Sequence, residues 1–343
     1  MRCIELADGK SFGDGRPVFI VAEVGANHNR SMSLAGELID AAAEAGVDGV
    51  KFQFYTPDGL YSSRTPMHSG YEKDLHTLIS EIETPREWAE DLAARCRARG
   101  VTFFGTPFDR GAADMLARLS PMIKIASFEL VDLPFVRYAA EKGKPMVLST
   151  GMASSEEIGD AIGACRAAGN EAVALLQCAS LYPSPPEIMN LRAIPAMRAE
   201  FGVPAGLSDH SEGGHVALAA VAMGACMIEK HFTLSRKMDG PDHHFAMEPD
   251  DMRTLVRQCR EIEAAMGDGL KSGPDKAESE YYGLRRSVHA AVDIPAGAVI
   301  TLDMLTVKRP ALGVPPKSIN TLAGMRARRN IAADEWISWD DAE

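Results

Sequence analysis

Eight short apolar strands alternating with amphipathic helices predict an α/β chain whose larger part is a (β/α)8 TIM barrel. Three observations carry this expectation: the strand count, a span of roughly 250 residues that is usual for such a barrel, and polar residues crowded at the strand ends. A change of texture near Leu284 predicts a small, mainly β module behind it. The expected organisation is a barrel over 1–265, a linker over 266–283 and the module over 284–343. A doubly wound open sheet would use the same alternation and stands as the structural alternative.

The first strand is PVFIVAE at 17–23, bounded by Gly15 and Gly25. Leu34, Leu38, Ile39, Ala42 and Ala45 then recur at helical spacing, and Gly46 stops that helix. The second strand, DGVKFQF, ends at Phe54, and a polar loop rich in Ser, Thr and Tyr is expected over 55–80. Further strands follow in VTFFGT at 101–106, MIKIAS at 122–127, PMVLST at 145–150 and EAVALLQC at 171–178. The last two are VPAGLSDH at 203–210 and CMIEKH at 226–231. Segments such as EEIGDAIGACRAAG and GGHVALAAVAMGA separate them as helices, and another helix is expected over 250–265. The stretch at 266–283 is rich in Gly, charge and turn formers. Beyond it come the β-like pieces SVHAAVDI, AGAVIT, LTVKRP, ARRNIAA and EWISW. About 60 residues make a marginal free-standing fold, so this module is expected to pack on something.

Composition narrows the function. The chain has 343 residues and a formal net charge of -12, which argues against nucleic acid or an anionic membrane as partner. A local lysine cluster can still override that field for a small anion. The N-terminus lacks the apolar region of a signal peptide, and no apolar run reaches the about 20 residues of a membrane span. Cys3, Cys96, Cys165, Cys178, Cys226 and Cys259 are scattered without a CxxC pair, as suits reduced thiols in a cytoplasmic protein.

In a barrel, reactive residues sit at the C-terminal strand ends. Here those ends carry Glu23, Asn27 and His28; Lys51 and Gln53; Thr106; Lys124, Ser127 and Glu129. The remaining four carry Ser149 and Thr150; Ser180 and Tyr182; Ser208, Asp209 and His210; Glu229 and His231. A lysine inside an apolar strand needs an anionic partner. Lys51 and Lys124 therefore read either as a phosphate or carboxylate site or as buried ion pairs with Glu23 and Glu229. His210 and His231 end adjacent strands, so their imidazoles suit a divalent metal with open positions. The plainer reading makes each a hydrogen-bonded or capping residue. No third protein ligand is obvious, although Asp209 and Glu229 are close in sequence. GPDHHF at 240–245 reads equally well as a polar turn.

Taken in order, AEVGANHN (22–29), VKFQ (50–53), KIAS (124–127), LSTGM (148–152) and LYPSPPEIMNL (181–191) resemble the sialic acid synthase family. GLSDHS (206–211), EKHF (229–232), GPDH (240–243) and VKRP (307–310) continue the resemblance to nearly the end of the chain. Each motif is short; their ordered combination is specific. The resemblance implies a barrel followed by an antifreeze-like (SAF) domain, and a transferase of the N-acetylneuraminate synthase type. Such an enzyme condenses phosphoenolpyruvate with an N-acetylated aldose, of which N-acetylmannosamine is the first expectation, to give a nonulosonic acid and phosphate. The resemblance further implies that His210 and His231 bind Mn2+ or Mg2+. Lys51, Thr106, Lys124, Ser127, Ser149 and Ser208 would hold phosphoenolpyruvate, with Ser180 beside them. Gln53, Glu129, Tyr182 and Asp242 would face the sugar. Arg309 would reach it from the partner's antifreeze-like domain in a domain-swapped homodimer, and Glu23 would lie near the reacting C2 carbon.

Some residues depart from the family pattern. Ser180 stands where some members have Asn, and fits the branch that includes legionaminic and pseudaminic acid synthases. Arg30 replaces a common glycine and Ala246 a frequent serine. These changes leave the acceptor sugar open. Two other activities compete: a Schiff-base aldolase working through Lys124, and a non-catalytic carbohydrate- or ice-binding protein suggested by the C-terminal module. The last leaves both lysines and the histidine pair unexplained.

Overall fold

The computed structural model describes residues 3–62, 64–65 and 74–343. It divides into two compact units, Met1–Gly267 and Asp268–Glu343. In the first, a short antiparallel hairpin of β1 (Cys3–Glu5) and β2 (Ser11–Gly13) precedes eight parallel strands. These are β3 (Phe19–Glu23), β4 (Gly49–Phe54), β5 (Thr102–Pro107) and β6 (Ile123–Ile125), then β7 (Met146–Ser149), β8 (Val173–Gln177), β9 (Ala205–Asp209) and β10 (Met227–His231). They lie side by side in chain order and close where β10 meets β3, so the sheet is a barrel and not an open one.

Period-two alternation divides the strand side chains between two cores. Ile20, Val50, Phe52, Leu148, Leu175 and Ile228 face outward, into the layer shared with the helices. Phe19, Val21, Phe104, Val147, Leu176 and Met227 fill the interior. Local signals start and stop the surrounding helices. Ser31 caps helix Met32–Ala45, and Gly46, in the left-handed conformation at φ 90°, ends it. Ser154 and Glu157 form a capping box on helix Ser155–Ala167. Helix Pro249–Met266 returns to the first strand, where Arg260 bonds Val18 O at 2.7 Å and Asp48 at 2.9 Å.

The N-terminal hairpin, which composition alone did not reveal, plugs the barrel at the strand starts. Ile4, Leu6 and Phe12 belong to the interior cluster, and the Phe12 ring lies 5.8 Å from that of Phe19. Polar groups inside the barrel can therefore collect only at the opposite end.

The polar loop expected over 55–80 is corrected in part. It contains helix Pro57–Leu60, capped by Thr56, and the start of helix Leu75–Ile82, capped by Asp74. These caps satisfy backbone donors that a loop would leave to water. Its segments at 63 and 66–73 lie outside the described residues. Among the described residues, no helix is long and apolar enough to cross a membrane. All six cysteines are free, and all but Cys3 are buried.

The second unit is built around β11 (Ser287–Ala290) and β12 (Leu305–Lys308), paired antiparallel. The other β-like pieces pair only through isolated bridges: Ile294 with Ile331, Val299 with Arg326 and His289 with Trp336. Val288, Ile294, Ile300, Val314, Ile331 and Ile337 form its own small core.

Candidate functional site

The inward alternation continues past the apolar interior and becomes polar toward the strand ends. Register pairs Glu23 with Lys51 across β3 and β4, and Glu229 with Ser208 across β10 and β9. Lys51 is 3% exposed, with its Nζ 2.9 Å from Glu23 Oε2 and 3.6 Å from Glu229 Oε1. It also donates to Thr106 Oγ1 at 3.2 Å. Gln53 Nε2 donates to Glu23 Oε1 at 2.6 Å, and Ser208 Oγ to Glu229 Oε1 at 2.9 Å. The predicted ion pairs thus exist for Lys51. They do not exist for Lys124, whose Nζ donates to Ser149 Oγ at 2.5 Å and to Ile125 O at 3.0 Å. Among the described residues, Lys124 therefore has no carboxylate in ion-pair contact.

Electrostatics separate the two lysines. Burial pulls the Lys51 ammonium down, but the Glu229 and Glu23 carboxylates outweigh it and raise its pKa. Burial lowers Lys124, the Glu229 charge offsets this only in part, and Lys51 adds to the lowering. Burial opposes ionisation of Glu229, yet Lys51, Lys124 and the Ser208 hydroxyl hold it well below the usual carboxylate range. Second carboxylate oxygens on both Glu23 and Glu229 are buried without a hydrogen bond, the Glu23–Lys51 contact lacking hydrogen-bond alignment. Such unsatisfied atoms in a cationic pocket mark room for a ligand or water.

Ser127 and Ser180 meet beside this cluster, Oγ to Oγ at 3.4 Å. Gly151 (φ 49°) makes that approach possible: a Cβ there would lie 2.4 Å from Ser127 Cβ and 3.0 Å from Ser180 Oγ. Glu129 sits on the loop after β6, where burial raises its carboxyl to about 7.

His210 and His231 do face each other, with ring centroids 5.5 Å apart. His210 Nδ1 lies 2.7 Å from Ala179 O, a pure acceptor, so Nδ1 carries the proton and Nε2 keeps its lone pair. Burial and the neighbouring His231 lower His210 to about 3, which keeps the ring neutral. His231 Nδ1 is buried without a hydrogen bond and lies 3.6 Å from Asp242 Oδ2. Two facing imidazoles, that of His210 held neutral and oriented by a backbone carbonyl, fit a divalent cation that also takes water or substrate oxygens. Among the described residues, no group of three His, Cys, Asp or Glu converges as a metal cluster. Asp209, considered above as a further ligand, points to the outer face and pairs with Lys230 at 2.8 Å.

The Tyr182 ring packs against that of His210, tilted by 37° with centroids 4.1 Å apart, and the residue is 45% exposed. Phe245 lies 5.0 Å from His231 and 5.9 Å from Tyr182. Phe245 was missed in the sequence: within GPDHHF only Asp242 was singled out, and an aromatic following two histidines carries no signal of its own. That segment is more than a turn: Asp242 accepts from Ala26 N at 3.3 Å, and His243 Nε2 lies 3.2 Å from Asn29 Oδ1. Asn27 Nδ2 donates to Phe232 O at 2.9 Å, tying the same two loops. Arg309 follows β12 in the second unit and is exposed there.

A (β/α)8 barrel with a buried lysine–carboxylate cluster and paired histidines at its mouth defines the class: a barrel protein with a polar site at its strand ends. The NeuB family model matches residues 38–271 and the SAF domain model residues 285–343. The chain belongs to the NeuB family and carries a C-terminal SAF domain. It is 37% identical to the spore coat polysaccharide biosynthesis protein SpsE of Bacillus subtilis, over 99% of this chain and 97% of SpsE. The SpsE crystal structure superposes with a TM-score of 0.70 at 36% identity, covering 100% of this chain and 99% of that one. The N,N'-diacetyllegionaminic acid synthase of Campylobacter jejuni is 35% identical, over 94% of this chain and 99% of that protein. The pseudaminic acid synthase of Helicobacter pylori is 37% identical, over 96% and 98%.

His28, in the loop after β3, offers a test of these electrostatics. Its Nδ1 accepts from Arg30 N at 3.0 Å, so Nε2 carries the proton toward Thr84 Oγ1 at 2.8 Å. Burial lowers it from 6.5 to about 4. The unfolded chain takes up a proton as pH falls below 6.5 while the folded chain does not, so stability falls between 6.5 and about 4. His28→Gln should flatten that part of the profile, measured as urea midpoints at about pH 7 and about pH 5. Equal midpoint shifts in wild type and variant would contradict the assignment.

Proposed function

We propose that this protein condenses phosphoenolpyruvate with an N-acetylated aldose and water to give a nonulosonic acid and phosphate. The observation that carries the reading is Lys124, buried, bonded to the Ser149 hydroxyl and the Ile125 carbonyl and, among the described residues, without a carboxylate in ion-pair contact. Names of the relatives support it: those at 35–37% identity include synthases of legionaminic and pseudaminic acid.

Lys51 and Lys124, with Thr106, Ser127, Ser149, Ser180 and Ser208, bind the phosphate and carboxylate of phosphoenolpyruvate. A water-poor site makes each contact stronger than in solvent. Gln53, Glu129, Tyr182 and Asp242 hold the acceptor sugar at the mouth. His210 and His231 hold a divalent cation, Mn2+ or Mg2+, which when bound supplies Lewis-acid polarisation of an aldehyde oxygen. The C3 carbon of phosphoenolpyruvate forms a bond to the aldehyde carbon, the aldehyde oxygen gains a proton, and positive charge develops at C2. Water adds to C2 and gives its proton to Glu23, whose Oε1 is held by Gln53 and whose Oε2 pairs with Lys51. The C2–O bond to phosphate then breaks while the C2 hydroxyl gives its proton to the departing phosphate, leaving the C2 ketone; Glu23 returns its proton to solvent, matching the one that the aldehyde oxygen took from it. N-acetylmannosamine and diacetamido hexoses are both acceptors to try, the latter because of the relatives' names and Ser180.

One feature favours a second reading. A lysine lowered by burial is also what a Schiff-base aldolase needs, and Lys124 is such a lysine. Borohydride with pyruvate traps an adduct at Lys124 in that case and none in a synthase.

Phosphate release should require phosphoenolpyruvate, Mn2+ and one member of a panel of N-acetylated sugars, and chelation should abolish it. His210→Ala should remove activity and metal response together, by roughly 100-fold or more in kcat. Turnover that survives exhaustive chelation, or no turnover with any sugar, would count against the proposal.

We also propose a domain-swapped homodimer in which Arg309 of the antifreeze-like domain reaches the partner's sugar site. Mixing Arg309→Ala with Lys124→Ala should then restore part of the activity that each variant lacks. A mixture no more active than its parents contradicts the exchange.

A further inference from the structure

His210 is anchored on both sides by one ammonium group that faces away from the site. Asp209 and Lys230 are register partners on β9 and β10, one position before His210 and His231 respectively. Alternation turns the histidines inward and this pair outward, into the apolar layer between strands and helices. There Asp209, Lys230 and Ser211 are each only 1% exposed. Lys230 Nζ donates to Asp209 Oδ2 at 2.8 Å and also to Ser211 O. Asp209 Oδ1 in turn accepts from Ser211 N at 2.9 Å and from Ser211 Oγ at 2.6 Å.

A buried ion pair in an apolar layer is a costly way to gain stability, since a hydrophobic pair of similar volume often does as well. What an apolar pair cannot do is hold a turn. The residue before His210 is bound through its side chain and the residue after it through its carbonyl. The backbone that aims the imidazole is therefore closed onto Lys230 from behind, while Ala179 O fixes the ring from the front.

We infer that Lys230 and Asp209 are positioning residues that set His210 at its angle to His231, and through it the affinity of the site for a divalent cation. The inference rests on the metal reading above, but its geometry stands without it. Of the residues proposed to hold phosphoenolpyruvate, Lys51 and Lys124 lie on β4 and β6, and only Ser208 shares a strand with this pair.

The test is the double variant Asp209→Asn with Lys230→Met, which leaves no unpaired buried charge, beside the single variant Asp209→Asn. Each is compared with wild type by Mn2+ titration followed by electron paramagnetic resonance, and by the rise in melting temperature with phosphoenolpyruvate. The double variant should lose about 10- to 100-fold in Mn2+ affinity, with the phosphoenolpyruvate-induced rise retained. Asp209→Asn alone keeps the turn acceptor but leaves the Lys230 ammonium without its carboxylate; if the double variant does not fold, a measurable loss in this single variant, read on folded protein, carries the test. A folded variant binding Mn2+ as tightly as wild type overturns the inference. If wild type takes up no Mn2+, the metal reading fails, and the 15N signature of His210 decides the positioning claim by itself. Loss of the Nδ1-protonated signal in the variant supports it, and an unchanged signal overturns it.

Discussion

Two lysines inside a barrel that is apolar below and closed at its base constrain everything else in the first unit. Each buried charge costs several kcal/mol unless it is met by good geometry. Lys51 meets that demand with Glu23, Glu229 and Thr106, all on neighbouring strands held in register. Lys124 does not, and is left with a hydroxyl and a carbonyl. The strain of that arrangement is sustained by the surrounding fold, and its natural relief is an anion. The hairpin at the strand starts matters for the same reason, because it keeps water from entering behind the cluster.

The sheet alternation then distributes roles with little freedom. Residues two apart along a strand share a face, so Glu23 follows Val21, Lys51 follows Gly49, and His231 follows Glu229 on the inner wall. The intervening residues meet the helices. One position of slip would bury Lys230 in the cavity and turn His231 into the helical layer. The ion pair of Lys230 and Asp209 on the outer face belongs to the same register as the histidines on the inner one.

Much of this was legible in the sequence, for physical reasons. Apolar strands interrupted by a single lysine, and polar residues gathered at strand ends, are costly patterns that chance does not keep. The barrel and most of the cluster followed from them. Asp209 is close to the histidines in sequence, but alternation sends its side chain to the face opposite Ser208 and His210. The hairpin stayed hidden because three-residue strands carry almost no periodic signal. In the second unit, isolated bridges replace regular strands, so five β-like pieces became one two-stranded sheet. Glu229 was noticed as a strand-end carboxylate and counter-ion, and its unsatisfied oxygen needed coordinates to be seen.

The central claim is that the interior lysines form an anion site, with Lys124 the member that waits for its partner. Calorimetric titration of phosphoenolpyruvate into the protein without sugar tests it directly. Wild type should bind, and Lys124→Met should bind at least about tenfold more weakly while melting no lower, since removing an unpaired buried charge costs the fold little. Equal affinity in the two proteins would contradict the account.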